Sequence, residues 1–236
     1  MPRDADIAES LEAVRRRITA AAQRAGRDPA SITLVAVSKT FGDDHIRAAV
    51  NAGQRAFGEN RVQEAAPKID ALASLGLEWH LIGHLQSNKA KKAAASFAWI
   101  ESIDSRELLS KIDAAAAEHG TSPRVLVQVD LAREATKHGA VAAEISDIVK
   151  AALDARAVRL EGLMIVPPFP DHAEDSRPWF RQLREMRDAL VAGGAPAARL
   201  SQLSMGMSHD YEVAIEEGAT IIRVGTSIFG RRAPAA

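Results

Sequence analysis

The sequence predicts an α/β protein built as a single (β/α)8 TIM-type barrel with an extra N-terminal helix. Short apolar, β-branched runs alternate with longer Ala/Leu-rich segments of helical spacing, and eight such repeats occur without a change in composition. No G-x-G-x-x-G motif follows the first run, which disfavours a doubly wound open sheet, the main alternative with the same alternation. Polar residues follow nearly every run, as expected where strands end around a barrel site.

The apolar runs predict eight strands, and the segments between them predict helices. The strands are expected at residues 33–37, 55–57, 78–82, 98–101, 124–129, 158–164, 200–203 and 220–224. The helices are expected to include residues 43–52, 61–75, 105–118, 142–152 and 177–191, with the extra helix at about 6–25. We assign residues 1–236 to one domain, because no linker or composition break divides the chain.

Composition favours a soluble globular protein and excludes several kinds of site. Hydrophobic residues make up 47% and charged residues 26%, as in ordinary globular domains. Lys and Arg total 30 against 31 Asp and Glu, so no positive charge is in excess to neutralise a nucleic-acid backbone. The lack of cysteine excludes disulfides and thiolate metal sites. Because neither a secretory signal nor an apolar run of about 18 residues is found, we expect a cytoplasmic protein without a membrane segment.

The first predicted strand ends at a lysine that is a candidate nucleophile. Alternation along the strand places Thr33, Val35, Val37 and Lys39 on one face. If Val35 and Val37 fill the barrel, Lys39 points into its mouth, where lost hydration favours the neutral, nucleophilic amine. The alternative is a surface lysine whose stem lies along apolar side chains.

The eighth predicted strand suggests a phosphate site. Alternation places Ile221, Arg223 and Gly225 on one face, and an inward arginine requires an acceptor. Thr226 and Ser227 follow with hydroxyls and backbone N–H groups suited to phosphate. Residues 203–208 form a similar small, hydroxyl-bearing turn after the seventh strand. Ordinary turns remain the alternative, but phosphate sites recur after strands seven and eight of this fold.

Two further polar segments leave alternatives open. Residues 57–64 follow the second strand and could position a ligand, or form a helix start with Asn60 as its cap and Gln63 closing a capping box. His80 and His84 are four residues apart but straddle a strand end, so they would not share a helical face as a zinc pair does. We therefore expect no metal site.

Together, segments along nearly the whole chain resemble the pyridoxal phosphate homeostasis protein family. The matching segments are residues 34–39 (LVAVSK), 57–60 (FGEN), 79–83 (WHLIG), 85–89 (LQSNK), 162–164 (GLM), 203–208 (LSMGMS) and 223–230 (RVGTSIFG). This family is similar to the barrel half of alanine racemases, pyridoxal phosphate (PLP) fold type III, without the C-terminal β-domain. The length agrees, because little sequence follows the eighth predicted strand.

The resemblance implies a cofactor and the residues that hold it. Lys39 would carry pyridoxal 5′-phosphate as a Schiff base, and Arg223 would face the pyridine nitrogen. The resemblance assigns the phosphate to Ser204, Gly225 and Thr226.

The same resemblance places Asn60 beside the cofactor and assigns no catalytic residue and no metal. Residues 134–139 differ from the Ser-containing version expected in the family, so a role for Lys137 as a secondary cofactor contact stays open.

The resemblance favours a protein that stores or delivers PLP over an enzyme. An arginine only donates and stays protonated, so Arg223 would keep the pyridine nitrogen unprotonated and the ring a weak electron sink. The expected partners are PLP and, transiently, PLP-dependent apoenzymes, and the missing β-domain favours a monomer. One alternative is a PLP-dependent amino-acid racemase-like enzyme, although no second base is evident. Another, a sugar-phosphate aldolase, is disfavoured by the lysine on strand one and the inward arginine.

Overall fold

The computed structural model describes residues 4–132 and 138–230 and shows a closed parallel barrel. Its strands are β1 (Thr33–Val37), β2 (Ala56–Glu59), β3 (Glu78–Leu81), β4 (Trp99–Ile103), β5 (Arg124–Asp130), β6 (Ala140–Val141), β7 (Arg159–Ile165), β8 (Gln202–Met207) and β9 (Ile221–Val224). The ring order is β4-β3-β2-β1-β9-β8-β7-β5, and β5 pairs back to β4. The short β6 pairs with β5 beside the ring of eight. The predicted eight-stranded barrel is therefore confirmed.

Helices surround the barrel in alternation with the strands. They are α1 (Asp4–Arg24), α2 (Asp43–Asn51), α3 (Val62–Ala71), α4 (Ala90–Ser96), α5 (Arg106–His119), α6 (Ala142–Leu153), α7 (Arg177–Ala192), α8 (Tyr211–Glu216) and α9 (Thr226–Phe229). Short 3-10 turns are found at Pro29–Ser31, Ala73–Leu75, Ser87–Lys89, Ala173–Ser176 and Ala197–Arg199. The predicted extra helix corresponds to α1, which contacts α2, α8 and α9.

The second and seventh predicted strands are among those that extend further toward the site than the apolar pattern indicated. The second was expected at residues 55–57, but β2 continues through Gly58 and Glu59, which pair with β3. The seventh was expected at 200–203, but β8 runs from Gln202 to Met207. In both cases polar or small residues stay in the sheet because parallel hydrogen bonding continues and their side chains find buried partners, which an apolar count does not register.

The core has an outer and an inner part. The outer part lies between the sheet and the helices, and α1 joins it through buried Ile7, Leu11, Val14 and Ile18, spaced at helical intervals. The inner part takes one residue from each of six barrel strands: Val35, Ala56, Trp99, Leu126, Met164 and Ile221. The inner cluster fills the barrel, so it leaves a site only at the strand ends.

Across residues 4–132 and 138–230, none of the helices is both long and apolar enough to cross a membrane.

Glycine at position 162 is required by the close approach of two barrel strands. A Cβ there would lie 1.8 Å from the carbonyl oxygen of Gln202 on the neighbouring strand. We expect Gly162→Ala to lower the free energy of unfolding by about 1–3 kcal/mol, because a packed sheet must shift to admit the methyl group. Urea unfolding measures this change.

Gly42→Ala is the matched control for this substitution. Its added methyl would meet no atom within 4 Å, and its φ of −81° suits any residue. We expect Gly42→Ala to lower the free energy of unfolding by less than about 1 kcal/mol, the usual effect of replacing a helix N-cap residue. An unchanged urea midpoint for Gly162→Ala would show that the strands do not pack this closely.

Candidate functional site

A cavity of about 300 Å³ opens at the carboxyl ends of the barrel strands. This volume is at the lower end of the range for small-molecule sites, roughly 300–1,000 Å³. The lining residues are Val37, Lys39, Phe41, Asn60, Ile82, Val166, Phe169, Pro170, Met207, Ser208, His209, Asp210, Arg223, Gly225, Thr226 and Gly230. Lys39 and Arg223 both reach this cavity because β1 pairs with β9 and closes the ring.

The structure brings together five of the predicted site residues and separates one. Lys39, Asn60, Arg223, Gly225 and Thr226 line the cavity. Ser204 does not line it. That serine is completely buried in the barrel interior below.

Lys39 lies two residues beyond the end of β1, at a point where polar side chains clamp the backbone. Ser38 is fully buried, and its hydroxyl donates to Oε1 of Glu59 at 2.7 Å. The Lys68 ammonium donates to the same carboxylate oxygen at 2.7 Å and to the Ser38 carbonyl at 3.0 Å. Thr40 then takes a left-handed φ of 70°, a conformation rarely adopted by residues other than glycine. The clamp and the turn together fix the direction in which half-buried Lys39 leaves the sheet.

Arg223 forms part of the cavity floor. It is 3% exposed, and its Nη2 donates to the carbonyl oxygen of Ile165 at 2.8 Å while Nη1 donates to the hydroxyl of Ser204 at 2.5 Å. Burial lowers the pKa of Arg223 below its usual value, and the nearby Glu101 carboxylate acts in the opposite direction. A guanidinium stays protonated under such conditions, so the cavity floor carries a fixed positive charge.

A buried polar chain continues below Arg223. The hydroxyl of Ser204 donates to Oε2 of Glu101 at 2.5 Å, and Oε1 of Glu101 lies 2.6 Å from Nδ1 of His80. Nε2 of His80 lies 3.4 Å from Oε1 of Glu78. Burial acts to lower the pKa of His80, but its hydrogen bonds to the two glutamates outweigh burial and raise that pKa. Burial acts to raise the pKa of Glu101, and the bond from His80 reverses this, so the net pKa is lowered.

Sequence reasoning missed Glu101 and considered His80 only as a metal ligand. Alternation along β4 could have found Glu101, which follows interior Trp99 by two residues, as Arg223 follows interior Ile221. Among the residues that the structure describes, no group of three or more His, Asp or Glu side chains could hold a metal ion.

The turns after β8 and β9 meet at one side of the cavity. The backbone N–H of Gly225 donates to the Ser208 hydroxyl at 3.1 Å, and the Ser227 hydroxyl donates to the Ser208 carbonyl at 3.4 Å. A Cβ at Gly225 would lie 3.3 Å from the carbonyl oxygen of Val37, so glycine keeps this turn close to β1. The predicted polar turn at 203–208 therefore reaches the cavity through Ser208.

Asn60 stands between the cavity and a second, more polar one. A Cβ at Gly83 would lie 2.3 Å from the Asn60 carbonyl oxygen, so glycine allows the loop after β3 to approach Asn60 closely. The second cavity, about 630 Å³, is also lined by His84 and His138, whose rings stack at 3.7 Å. Lys137, considered in the sequence as a secondary contact, lies outside the described residues.

Comparisons relate the chain to known proteins. The profile described as "Alanine racemase, N-terminal domain" matches residues 10–233. The pyridoxal phosphate homeostasis protein of Aquifex aeolicus (strain VF5) is 44% identical over 224 residues, which cover 95% of this chain and 97% of the relative. The structure of PipY from Synechococcus elongatus PCC7942, solved with PLP bound, is 43% identical with a TM-score of 0.84, covering 95% of this chain and 100% of PipY.

A more distant structure shares the fold alone. The alanine racemase of Clostridium difficile 630 is 15% identical with a TM-score of 0.68, and the match covers 98% of this chain but 58% of the racemase. The barrel therefore corresponds to one portion of that larger protein.

The clamp below Lys39 predicts a stability cost when its ammonium is removed. Lys68→Met would leave the Glu59 carboxylate, which is fully buried, without its positive partner. We expect the free energy of unfolding to fall by about 3–5 kcal/mol, as when one partner of a buried ion pair is deleted. Urea unfolding at neutral pH measures the loss.

Lys91→Met is the matched control, because it breaks an ion pair with Glu118 in which both side chains are exposed. Solvent screening makes such pairs weak, so we expect little change. Equal stabilities for the two variants would contradict a clamp that depends on the Lys68 ammonium.

Proposed function

This chain belongs to the pyridoxal phosphate homeostasis protein family, whose barrel is that of the alanine racemase N-terminal domain, and we propose that it binds pyridoxal 5′-phosphate in the cavity above Arg223. Its role would be to store or deliver the cofactor in intracellular PLP (vitamin B6) homeostasis. The observation that carries this proposal is that one cavity collects Lys39, Arg223, Gly225 and Thr226.

The residues present fit the aldehyde, the pyridine nitrogen and the phosphate of PLP. The aldehyde requires a primary amine, which Lys39 supplies. The pyridine nitrogen is an acceptor and requires a donor, which Arg223 supplies, since Ser204 and Ile165 are its hydrogen-bond acceptors among the described residues and together use two of the five guanidinium N–H groups. The phosphate requires hydroxyls and backbone N–H groups, which the turns after β8 and β9 supply.

Ser208 replaces Ser204 in our assignment of the phosphate site. Both serines belong to the polar turn predicted from sequence, but Ser208 lines the cavity and Ser204 hydrogen-bonds beneath it. Gly225 and Thr226 keep the role that the family resemblance implied, and Asn60 stands at the cavity wall.

The chain's own residues favour holding the cofactor over turning over substrates. When bound, PLP supplies an electrophilic aldehyde on an electron-poor ring. Lys39 would hold it as a Schiff base, while apolar Val37, Phe41 and Ile82 limit water at the same wall. Arg223 donates a hydrogen bond but does not give up its proton, so the ring nitrogen would stay unprotonated. An unprotonated ring is a weaker electron sink.

We propose a non-enzymatic carrier, with an amino-acid racemase-like activity as the alternative. The sole tyrosine, Tyr211, is 1% exposed and is not among the described residues lining the cavity, so it offers no second base there. The carrier would be monomeric and cytoplasmic, and would pass PLP to PLP-dependent apoenzymes in transient contacts. Residues 1–236 would act as one cofactor-binding domain.

Reductive trapping tests the attachment to Lys39. After incubation with PLP and reduction with borohydride, we expect one pyridoxyl group on Lys39, found by peptide mass spectrometry. Lys39→Ala should lose this adduct and the visible absorption band, because no other side chain described in the cavity is a primary amine.

Lys89→Ala is the control, since Lys89 lines the neighbouring cavity instead. Full labelling of Lys39→Ala would refute the assignment. Rapid interconversion of amino-acid enantiomers by loaded wild type, abolished in Lys39→Ala, would replace the carrier with the racemase.

We expect Ser208→Ala and Ser204→Ala to have different effects on cofactor affinity. Pyridoxal lacks the phosphate, so the ratio of its Kd to that of PLP measures the phosphate contribution. Ser208→Ala should reduce this ratio by roughly 10- to 100-fold, the value of a hydrogen bond to a charged group. Ser204→Ala should alter both Kd values together. If Ser204→Ala alone reduces the ratio, Ser204 and not Ser208 holds the phosphate.

A further inference from the structure

Arg223, the positive charge on the cavity floor, is compensated by carboxylates to which the family resemblance gave no role. The carboxylate of Glu101 lies 4.0 Å from Nη1 of Arg223, and Ser204 bridges the two. Asp210, the other carboxylate that acts on the arginine, already accepts from Met207 N–H at 2.7 Å and from the Ser176 hydroxyl at 2.7 Å. Glu101 acts on Arg223 more strongly than Asp210 does, and it is the carboxylate joined to the guanidinium by the Ser204 bridge.

The direction of each hydrogen bond in this group follows from the donors available. Arginine can only donate, so Ser204 accepts from Arg223. The hydroxyl has one proton, and it must then point to Glu101. The bridge is satisfied when Glu101 is an ionised acceptor, which couples its charge to the orientation of the guanidinium.

His80 keeps Glu101 in that ionised state. Its Nδ1 faces Glu101 and its Nε2 faces Glu78, so an imidazolium donates to both carboxylates, whereas a neutral ring can donate to only one. The ring also stacks on Trp99 at 5.3 Å, which restrains its rotation. No other charged group described in the structure hydrogen-bonds to His80.

The polar chain spans the barrel from the cavity to the opposite face. Glu78 and Arg124 are the first residues of β3 and β5, and they form an ion pair at 3.1 Å with both side chains about 40% exposed. From Arg124 the charges alternate through Glu78, His80 and Glu101 to Arg223. Alternation of sign lets His80, Glu101 and Arg223 be buried side by side, since each has a neighbour of opposite charge.

We propose that Glu101, supported by His80, is a positioning residue that fixes the Arg223 guanidinium on the cavity floor and sets the electrostatic potential acting on the bound cofactor. The inference rests on the proposed PLP site. Neither residue lines the cavity; both act through Ser204 and Arg223. The charge at Glu101 would thus influence protonation of the Schiff base nitrogen without contact.

A pH titration of the visible absorption band of the PLP-loaded protein tests this inference. Glu101→Gln removes a negative charge from the barrel, so the net field near the cavity becomes more positive. A more positive field disfavours the protonated Schiff base, and its pKa should fall by on the order of one pH unit, a tenfold change in proton affinity. Glu101→Asp retains the charge and should return the titration toward that of wild type.

Glu78→Gln is the matched control, because it makes the same chemical change further along the chain, at a partly exposed position. It should leave the titration within a few tenths of a pH unit of wild type. An equal shift in Glu78→Gln, or an equal shift in Glu101→Asp and Glu101→Gln, would overturn the inference.

A double-variant comparison keeps the test valid if Glu101→Gln folds poorly. Glu101→Gln combined with Arg223→Gln removes both charges, which is better tolerated than leaving one unpaired. If Glu101 acts mainly by holding Arg223, this double variant should differ from Arg223→Gln alone by clearly less than the one pH unit expected for Glu101→Gln in the wild-type background. A further shift of similar size in the double variant would contradict the inference.

The two proposals fail in distinguishable ways. Absence of a Lys39 adduct in wild type would refute the PLP site itself. A normal adduct whose titration is unmoved by Glu101→Gln would refute only the role of Glu101.

Discussion

The site depends on a positive charge buried at the carboxyl end of the barrel. Removing a guanidinium from water is costly unless acceptors and an opposite charge replace the lost hydration. Ser204, the Ile165 carbonyl and the Glu101 carboxylate supply those partners to Arg223. They hold the guanidinium on the floor of the cavity, where a neutral ligand nitrogen can accept from it.

Closure of the barrel makes the rest of the arrangement possible. β1 pairs with β9, with Val35 opposite Arg223 and Ala36 opposite Val224. The first and last strands thereby bring an amine and a guanidinium to the wall and floor of one cavity, although nearly the whole chain separates them. The interior below combines an apolar cluster with the polar chain, so the barrel is packed beneath Arg223 and the cavity opens above it.

Membership in the family relates Lys39, Arg223 and the two turns to the binding of one cofactor, whereas the distant racemase is similar to this chain only in the barrel. In the proposed carrier, a lysine binds the aldehyde, and an arginine that stays protonated keeps the ring a weak electron sink. Retention would come from covalent attachment and the phosphate turns. The clamp of Ser38, Glu59 and Lys68 would keep the capturing amine in one direction.

The sequence by itself determined the repeat of strands and helices, because alternation and helical spacing are local patterns. It also indicated Lys39 and Arg223, since inward alternation at a strand end requires only the strand's own residues. The tertiary structure decided which hydroxyl reaches the cavity, because β8 continues past Ser204 and only Ser208 emerges. It also decided the partners of Arg223: Glu101 and His80 meet it only when separate strands close into a ring, and such pairing leaves no periodic trace in the chain.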